Sequence, residues 1–405
     1  MHKYRNDFTT CLYRREKKVC KIQVVIPYFV NALRDNHCCM LFVEFIQVAL
    51  GHRESLSKSP SEQEWHTIYG MCQQQSVVGL GFSALDRLGQ LGQKPPLSIL
   101  YDWIGIGELI KKQNLDVYKN AVLICELLSH DGYDTCILKG QGNALMYPNS
   151  YIRTPGDIDL WVKLSGNGQS KTCNVRRIVG YVKGINPKGN ACYHHIDYGL
   201  FHGTEVEVHY RPSFMFNPIH NRRLQKWFIA HSEEQFQNEV ELPDGVGKVA
   251  IPTLAFNIIF QLSHIYNHVL HEGIGLRQFV DYYYLLRSSA KLEMRNEDLE
   301  MTLKYLGLWK FAGAVMYVMR EVFALEEQYM IRPIDEWRGG ILFQEILKGG
   351  NFGKYDEANI KAASRIKKNI QRIKRDIRMM LYFPSECLWE PAFRIYHFFW
   401  RMKYN

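Results

Sequence analysis

Only one stretch of this 405-residue sequence, from Asp131 to Pro252, is patterned for strands. It reads as short β-like segments separated by Gly, Pro and Asn breaks: YDTCILKG, DIDLWVKL, CYHHIDYGLFHG, TEVEVHYRP and KVAIP. On either side the apolar residues recur at spacings of three and four, the signature of helices. From Leu41 to about His130 these are FVEFIQVAL, WHTIYGMCQQQSVVGLGFSALDRL and ILYDWIGIGELIKKQNLDVYKNAVLICELLSH. After Pro252 helices return, from LAFNIIFQLSHIYNHVL to the C-terminus. Ser61, with Glu64 three residues on, makes a capping box for the second helix, and Pro95–Pro96 divide the second from the third. The expected fold is therefore α+β. A strand-rich core at 131–252 lies between a helical region at 40–130 and a helical domain at 253–405, and residues 1–39 form a basic extension.

A chain of this length holds two or three domains. At 46% apolar and 22% charged residues it is a folded globular protein rather than a disordered or fibrous one. No window reaches about 18 uncharged apolar residues, so no transmembrane segment is expected. The basic N-terminus lacks a cleavage site after the short apolar patch Val24 to Val30. A cytoplasmic address follows by default. The ten cysteines are scattered without a CxxC pair and read as free thiols. The net charge of +9 sits at the two ends, +5 over residues 1–39 and +8 over residues 361–405, which leaves the middle slightly acidic. That distribution argues against the central body being a nucleic-acid-binding surface.

The chemistry concentrates in GDIDLWVK. On a strand, residues i and i+2 share a face, so Asp157 and Asp159 project together while Ile158 and Leu160 point away. Two like charges side by side are costly unless a cation lies between them, and hard oxygen ligands suit Mg²⁺. About fifty residues on, TEVEVHYRP alternates Glu205 and Glu207 against Val206 and Val208, and one of these glutamates can face the pair from an adjacent strand. Three converging carboxylates would hold two metal ions. Upstream, ILKGQGNALMYP ends a strand at Lys139-Gly140 and turns into a helix-like start, an arrangement able to present N–H groups to phosphate.

The order LKG, YP, R…GDIDLWV and VEVHYRP resembles the uncharacterised nucleotidyltransferase family within the DNA polymerase beta-like nucleotidyltransferase superfamily. HIYNHVLHEGIGLRQFVDYYYLL, LKGGNFG and YFPSECLWEPAFRIYHFFWR resemble its helical C-terminal part, so the likeness covers roughly residues 41–405. It implies a small mixed sheet with helices and metal-dependent, ATP-type nucleotide chemistry. A nucleoside monophosphate passes from a nucleoside triphosphate to an acceptor hydroxyl, with two Mg²⁺ (or Mn²⁺) ions. Asp157, Asp159 and Glu207 become the catalytic and metal-binding carboxylates, and Glu207 matches the third acid better than Glu205. The acceptor, whether small molecule, RNA or protein, is left open. So are a catalytically silent nucleotide- or partner-binding member and a toxin–antitoxin component. Gly140-Gln141 departs from the superfamily's Gly-Ser or Gly-Gly turn and stands further from the first Asp.

The other candidates surround this core. Lys139, Gly140 and Arg153 form the expected nucleotide-binding set, the two cations either neutralising triphosphate or pairing with carboxylates. His264, His268 and His271 share a helix face, read as a polar edge near the sheet in preference to a zinc site. Arg277 and Asp281 read as an i, i+4 salt pair. In RIKKNIQRIKRDIRMMLYF, Ile366, Ile370, Ile373, Ile377 and Met380 form an apolar stripe on a basic helix. Either Arg365, Lys367, Lys368, Arg372, Lys374 and Arg375 contact RNA, or they are the solvated face of a core-packed helix. Residues 1–39 are expected to be dispensable.

Overall fold

The computed structural model describes residues 37–166, 175–271, 273–289, 296–350, 373 and 375–405. Four helices come first: α1 (His37–Leu50), α2 (Glu62–Gln74), α3 (Val78–Gln90) and α4 (Leu97–His130). The capping box expected at Ser61 is present, with the Ser61 hydroxyl accepting from Glu64 N–H and the Glu64 carboxylate from Ser61 N–H. The strand block then supplies β1 (Tyr133–Ile137), the single turn α5 (Gln141–Ala144), β2 (Ile158–Leu164), α6 (Val175–Ile185), β3 (His195–Phe201) and β4 (Thr204–His209). After α7 (Pro218–Ala230) and α8 (Ser232–Gln237), a two-stranded ribbon of β5 (Glu239–Glu241) and β6 (Lys248–Ala250) ends the block. Helices α9 (Leu254–His271), α10 (Leu276–Ser288), α11 (Asn296–Tyr305), α12 (Trp309–Phe323), α13 (Glu336–Gly349) and α14 (Pro384–Tyr404) follow. The chain is α+β, as its strand pattern indicates.

The main sheet has the order β1-β2-β4-β3 and is mixed: β1 and β3 run antiparallel to their neighbours, while β2 and β4 are parallel. The alternation of side chains divides it into two unlike faces. Ile158, Leu160, Val162, Val206, Val208 and Ile196 point to one side, where they pack with Val117, Ala121 and Ile124 of α4 and Ile178 and Val182 of α6. The opposite side carries Asp159, Trp161, Glu207, His209 and His195. Helix α9 lies across that side, with Phe256 stacked on Trp161 at 5.6 Å between ring centroids.

The helical regions before and after the strand block, separate in sequence, share one apolar core. Phe42, Trp65 and Trp103 are buried in the same cluster as Phe260, Tyr282 and Phe311. Helix α4 spans both halves of the molecule: Ile99 and Trp103 enter this helical core, and Val117 and Leu128 enter the core under the sheet.

The C-terminal segment corrects one expectation. Ile373 and Ile377 are 51% and 60% exposed, whereas Asp376 and Met379 are buried. Two members of the apolar stripe, Ile373 and Ile377, therefore face outward, while Met380 packs against the helical core. The neighbouring arginines face the body instead: Arg375 donates to the carbonyls of Leu270 and His271, and Arg378 pairs with Glu345 at 2.5 Å. An arginine that satisfies helix-end carbonyls, and a second that pairs with a carboxylate, outweigh the exposure of two isoleucines. The basic residues Arg365, Lys367, Lys368, Arg372 and Lys374 lie outside the described residues, as does the extension up to residue 36. Helix α14 then returns to the sheet. Glu386 accepts from the Phe216 and Asn217 N–H groups at 2.7 and 2.9 Å, and the Asn405 side chain brackets Ala191, just before β3.

Candidate functional site

Register sets the site. Asp159 on β2 stands opposite Glu207 on β4, and Glu207 in turn opposite Asp197 on β3. Asp157, one residue before β2, joins them, so that oxygens of Asp157, Asp159 and Glu207 lie within 4.8 Å of one another. Glu205 is exposed and stands outside this group. The i, i+2 rule that pairs the aspartates also places His209, two residues after Glu207, on the same face. Its Nε2 lies 3.0 Å from Asp159 Oδ1 and 3.2 Å from Glu207 Oε2.

Lys139 ends the segment after β1, and its ammonium lies 3.1 Å from Asp159 Oδ1 and 3.3 Å from His264 Nε2. Gly140 follows at φ +68°, where an L side chain would be strained, and the reversal brings it against the Asp157 carbonyl. The helix after this turn is only Gln141–Ala144.

The electrostatics are those of a crowded, partly desolvated cluster. Burial disfavours the Lys139 charge, but Asp159, Asp157 and Glu207 outweigh it and raise its pKa. Burial likewise opposes ionisation of Asp159, yet Lys139 and His209 hold its carboxyl below the usual range. His209 moves upward, its hydrogen bonds to Asp159 and Glu207 prevailing over burial. His264 is pushed well down by burial and then by Lys139, so it stays neutral. Even so, Asp159 Oδ2 is buried and has no hydrogen-bond partner. A carboxylate oxygen in that state is expensive unless a cation meets it. All three acids offer hard oxygen donors, and the residues present fit a divalent ion of the Mg²⁺ type.

Two arginines take partners that sequence spacing does not suggest. Arg153 is buried, and its Nε and Nη2 form a two-pronged pair with Asp281 of α10 at 2.8 and 2.9 Å. Tyr147 adds a hydrogen bond to Asp281 at 2.7 Å. Of the two partners open to Arg153, phosphate or a carboxylate, its fork engages a carboxylate. Arg277, expected to pair with Asp281 along the helix, instead donates Nη1 to the Thr154 and Pro155 carbonyls and lies against Gly156. Its Nε is buried without a partner, and it lines one cavity with Lys139, Gly140, Asp157, Asp159 and His264. Spacing alone pairs Arg277 with Asp281. The long-range competitor Arg153 wins because its fork reaches both carboxylate oxygens.

His264 and His268 face each other at 3.0 Å on α9, with His264 toward the sheet. Among the described residues they and His271 form no metal-ligating trio. Sequence reasoning passed over His194 and His195, although the alternation of β3 puts His195 on the carboxylate face. Its Nδ1 lies 3.1 Å from Glu207 Oε2. No helix among the described residues is long and apolar enough to cross a membrane.

A family model described as an uncharacterised nucleotidyltransferase matches residues 61–324. No curated protein and no solved structure matches the chain. The matched range runs from the capping box of α2 through both carboxylate strands to the end of α12, nearly two thirds of the sequence. This chain belongs to the uncharacterised nucleotidyltransferase family.

Proposed function

We propose that the chain transfers a nucleoside monophosphate from a nucleoside triphosphate to an acceptor hydroxyl, with Asp157, Asp159 and Glu207 as the catalytic and metal-binding carboxylates. The observation that carries this reading is Asp159, which is grouped with the other two acids: its Oδ1 is held by Lys139 and His209, while its Oδ2 is buried and unpartnered. Two Mg²⁺ or Mn²⁺ ions held by these carboxylates would acidify the acceptor hydroxyl and neutralise charge on the transferring phosphoryl group.

The chain's own residues do the remainder. Lys139 stays charged because three carboxylates surround it, and it presents a cation at the cavity wall for the triphosphate. Arg277 supplies the second cation, its Nε lacking a protein acceptor and its Nη1 anchored on backbone carbonyls. Arg153 acts at one remove, pinning Asp281 and with it α10, the helix that carries Arg277. Gly140 supplies the positive φ that reverses the chain between Lys139 and the following turn beside Asp157. His209 bridges Asp159 and Glu207 and keeps the two strands' acids in register.

The test is incubation of the protein with α-labelled nucleoside triphosphates, Mg²⁺ and a cell extract, beside the variant D159N. Label appearing in one acceptor with the wild type and absent with D159N is the expected result. Equal labelling by both proteins would remove Asp159 from the reaction.

A further inference from the structure

A second cluster of donors stands beside the carboxylates, and it is of a different chemical kind. Cys192 and His194 lie in the short loop that leads into β3 and His195 is the first residue of that strand, and one ligand atom from each falls within 4.8 Å of the others. The Cys192 sulfur is 3.4 Å from His194 Nδ1, and His194 Nε2 is 3.2 Å from His195 Nδ1. All three side chains are partly exposed, so an ion has access.

The loop is held from several directions. Ala191 bridges Ile196, Cys192 N–H donates to the His195 carbonyl at 2.8 Å, and the Tyr210 hydroxyl donates to the carbonyls of Cys192 and His195. The Asn405 side chain clamps Ala191 from the C-terminus, and His397 of α14 accepts the Tyr193 N–H. A backbone fixed in this way presents its donors with little freedom left to lose, which favours coordination.

We propose that Cys192, His194 and His195 bind a borderline divalent cation of the zinc class, at a site that adjoins the oxygen ligands Asp157, Asp159 and Glu207 through the contact of His195 with Glu207. One sulfur and two imidazole nitrogens suit Zn²⁺ and reject Mg²⁺, which prefers oxygen. Three protein donors leave a fourth tetrahedral position for water. One ring nitrogen of His195 can take the ion while the other meets a carboxylate that fixes the tautomer, either Asp197 Oδ1 at 3.5 Å from Nε2 or Glu207 Oε2 at 3.1 Å from Nδ1. Scattered cysteines conceal such a site because its partners are histidines, in a C-x-H-H run.

The site does not depend on the nucleotidyl-transfer reading and is tested without nucleotide or Mg²⁺. Cobalt(II), a spectroscopic stand-in for zinc, is titrated into the metal-free full chain. The expected result is a thiolate-to-cobalt charge-transfer band in the near ultraviolet that saturates with one equivalent at this site and is bleached by added Zn²⁺. C192S should abolish that band. H194Q should keep the sulfur but weaken binding by at least about tenfold. D159N should leave band and affinity unchanged. No charge-transfer band in the wild type, a band that survives C192S, or cobalt binding lost in D159N and retained in C192S and H194Q would each overturn the proposal.

Discussion

The two faces of the four-stranded sheet are built from the same strands and differ in every other respect. One carries Ile158, Leu160, Val162, Val206 and Val208, sealed by α4 and α6. The other carries Asp159, Glu207, His209 and His195, with Lys139 and His264 closing over them. Strand periodicity makes this division unavoidable, since every second residue changes sides. The apolar face supplies the free energy that tolerates the charged one. A sheet with a desolvated carboxylate pair on one side is stable only if the other side buries enough hydrocarbon to compensate.

Variants that strike one face and spare the other separate the two roles. D159N should cut nucleotidyl transfer by on the order of a thousandfold, while the protein stays folded with a modestly lowered melting temperature, because Lys139 and His209 lose a charged partner but Asp157 and Glu207 still face them. R153A should cost about 3–5 kcal/mol of unfolding free energy, since it strands Asp281 as a buried, unpaired charge. The double variant R153A/D281N should recover part of that loss in a denaturant titration. L160A, on the opposite face, should cost about 2–5 kcal/mol by opening a cavity in a fully buried position. Activity per folded molecule should persist, read as transfer normalised to the folded fraction. If L160A abolished activity at full stability, the division between the faces would not hold.

A smaller effect concerns the clamp of α14 on the loop before β3. Burial and then Arg401 pull the His397 pKa down to about 4, and its neutral Nε2 accepts the Tyr193 N–H. A histidine with a folded pKa below its unfolded value contributes stability that is complete above about 6.5 and lost as the pH falls toward about 4. Melting temperature measured across that window should therefore decline with acidity, and less steeply in H397Q.

Much of this was legible in the sequence, for reasons of local geometry. The i, i+2 spacing of Asp157 and Asp159, the acidic alternation around Glu207 and the Lys139-Gly140 reversal are short-range features, and short-range rules find them. The block of strands between helical stretches made the fold class readable in the same way. Partnerships between distant segments were not readable. Nothing near Arg153 shows that Asp281, 128 residues on, will take its fork and leave Arg277 to the carbonyls of Thr154 and Pro155. The outward turn of Ile373 and Ile377 has the same origin, because Arg375 finds the end of α9 and Arg378 finds Glu345. The helical regions looked independent because a shared core, like that of Trp103 with Phe260 and Tyr282, leaves no mark on either segment alone.

The most direct test of the carboxylate face needs no knowledge of the acceptor. Calorimetric binding of a non-hydrolysable nucleoside triphosphate analogue should be measured with and without Mg²⁺ for the wild type, D159N, E207Q and E205Q. The account predicts Mg²⁺-dependent binding in the wild type and in E205Q, weakened at least about tenfold in D159N and E207Q. Binding that ignores Mg²⁺, or that is lost in E205Q and kept in E207Q, would contradict it.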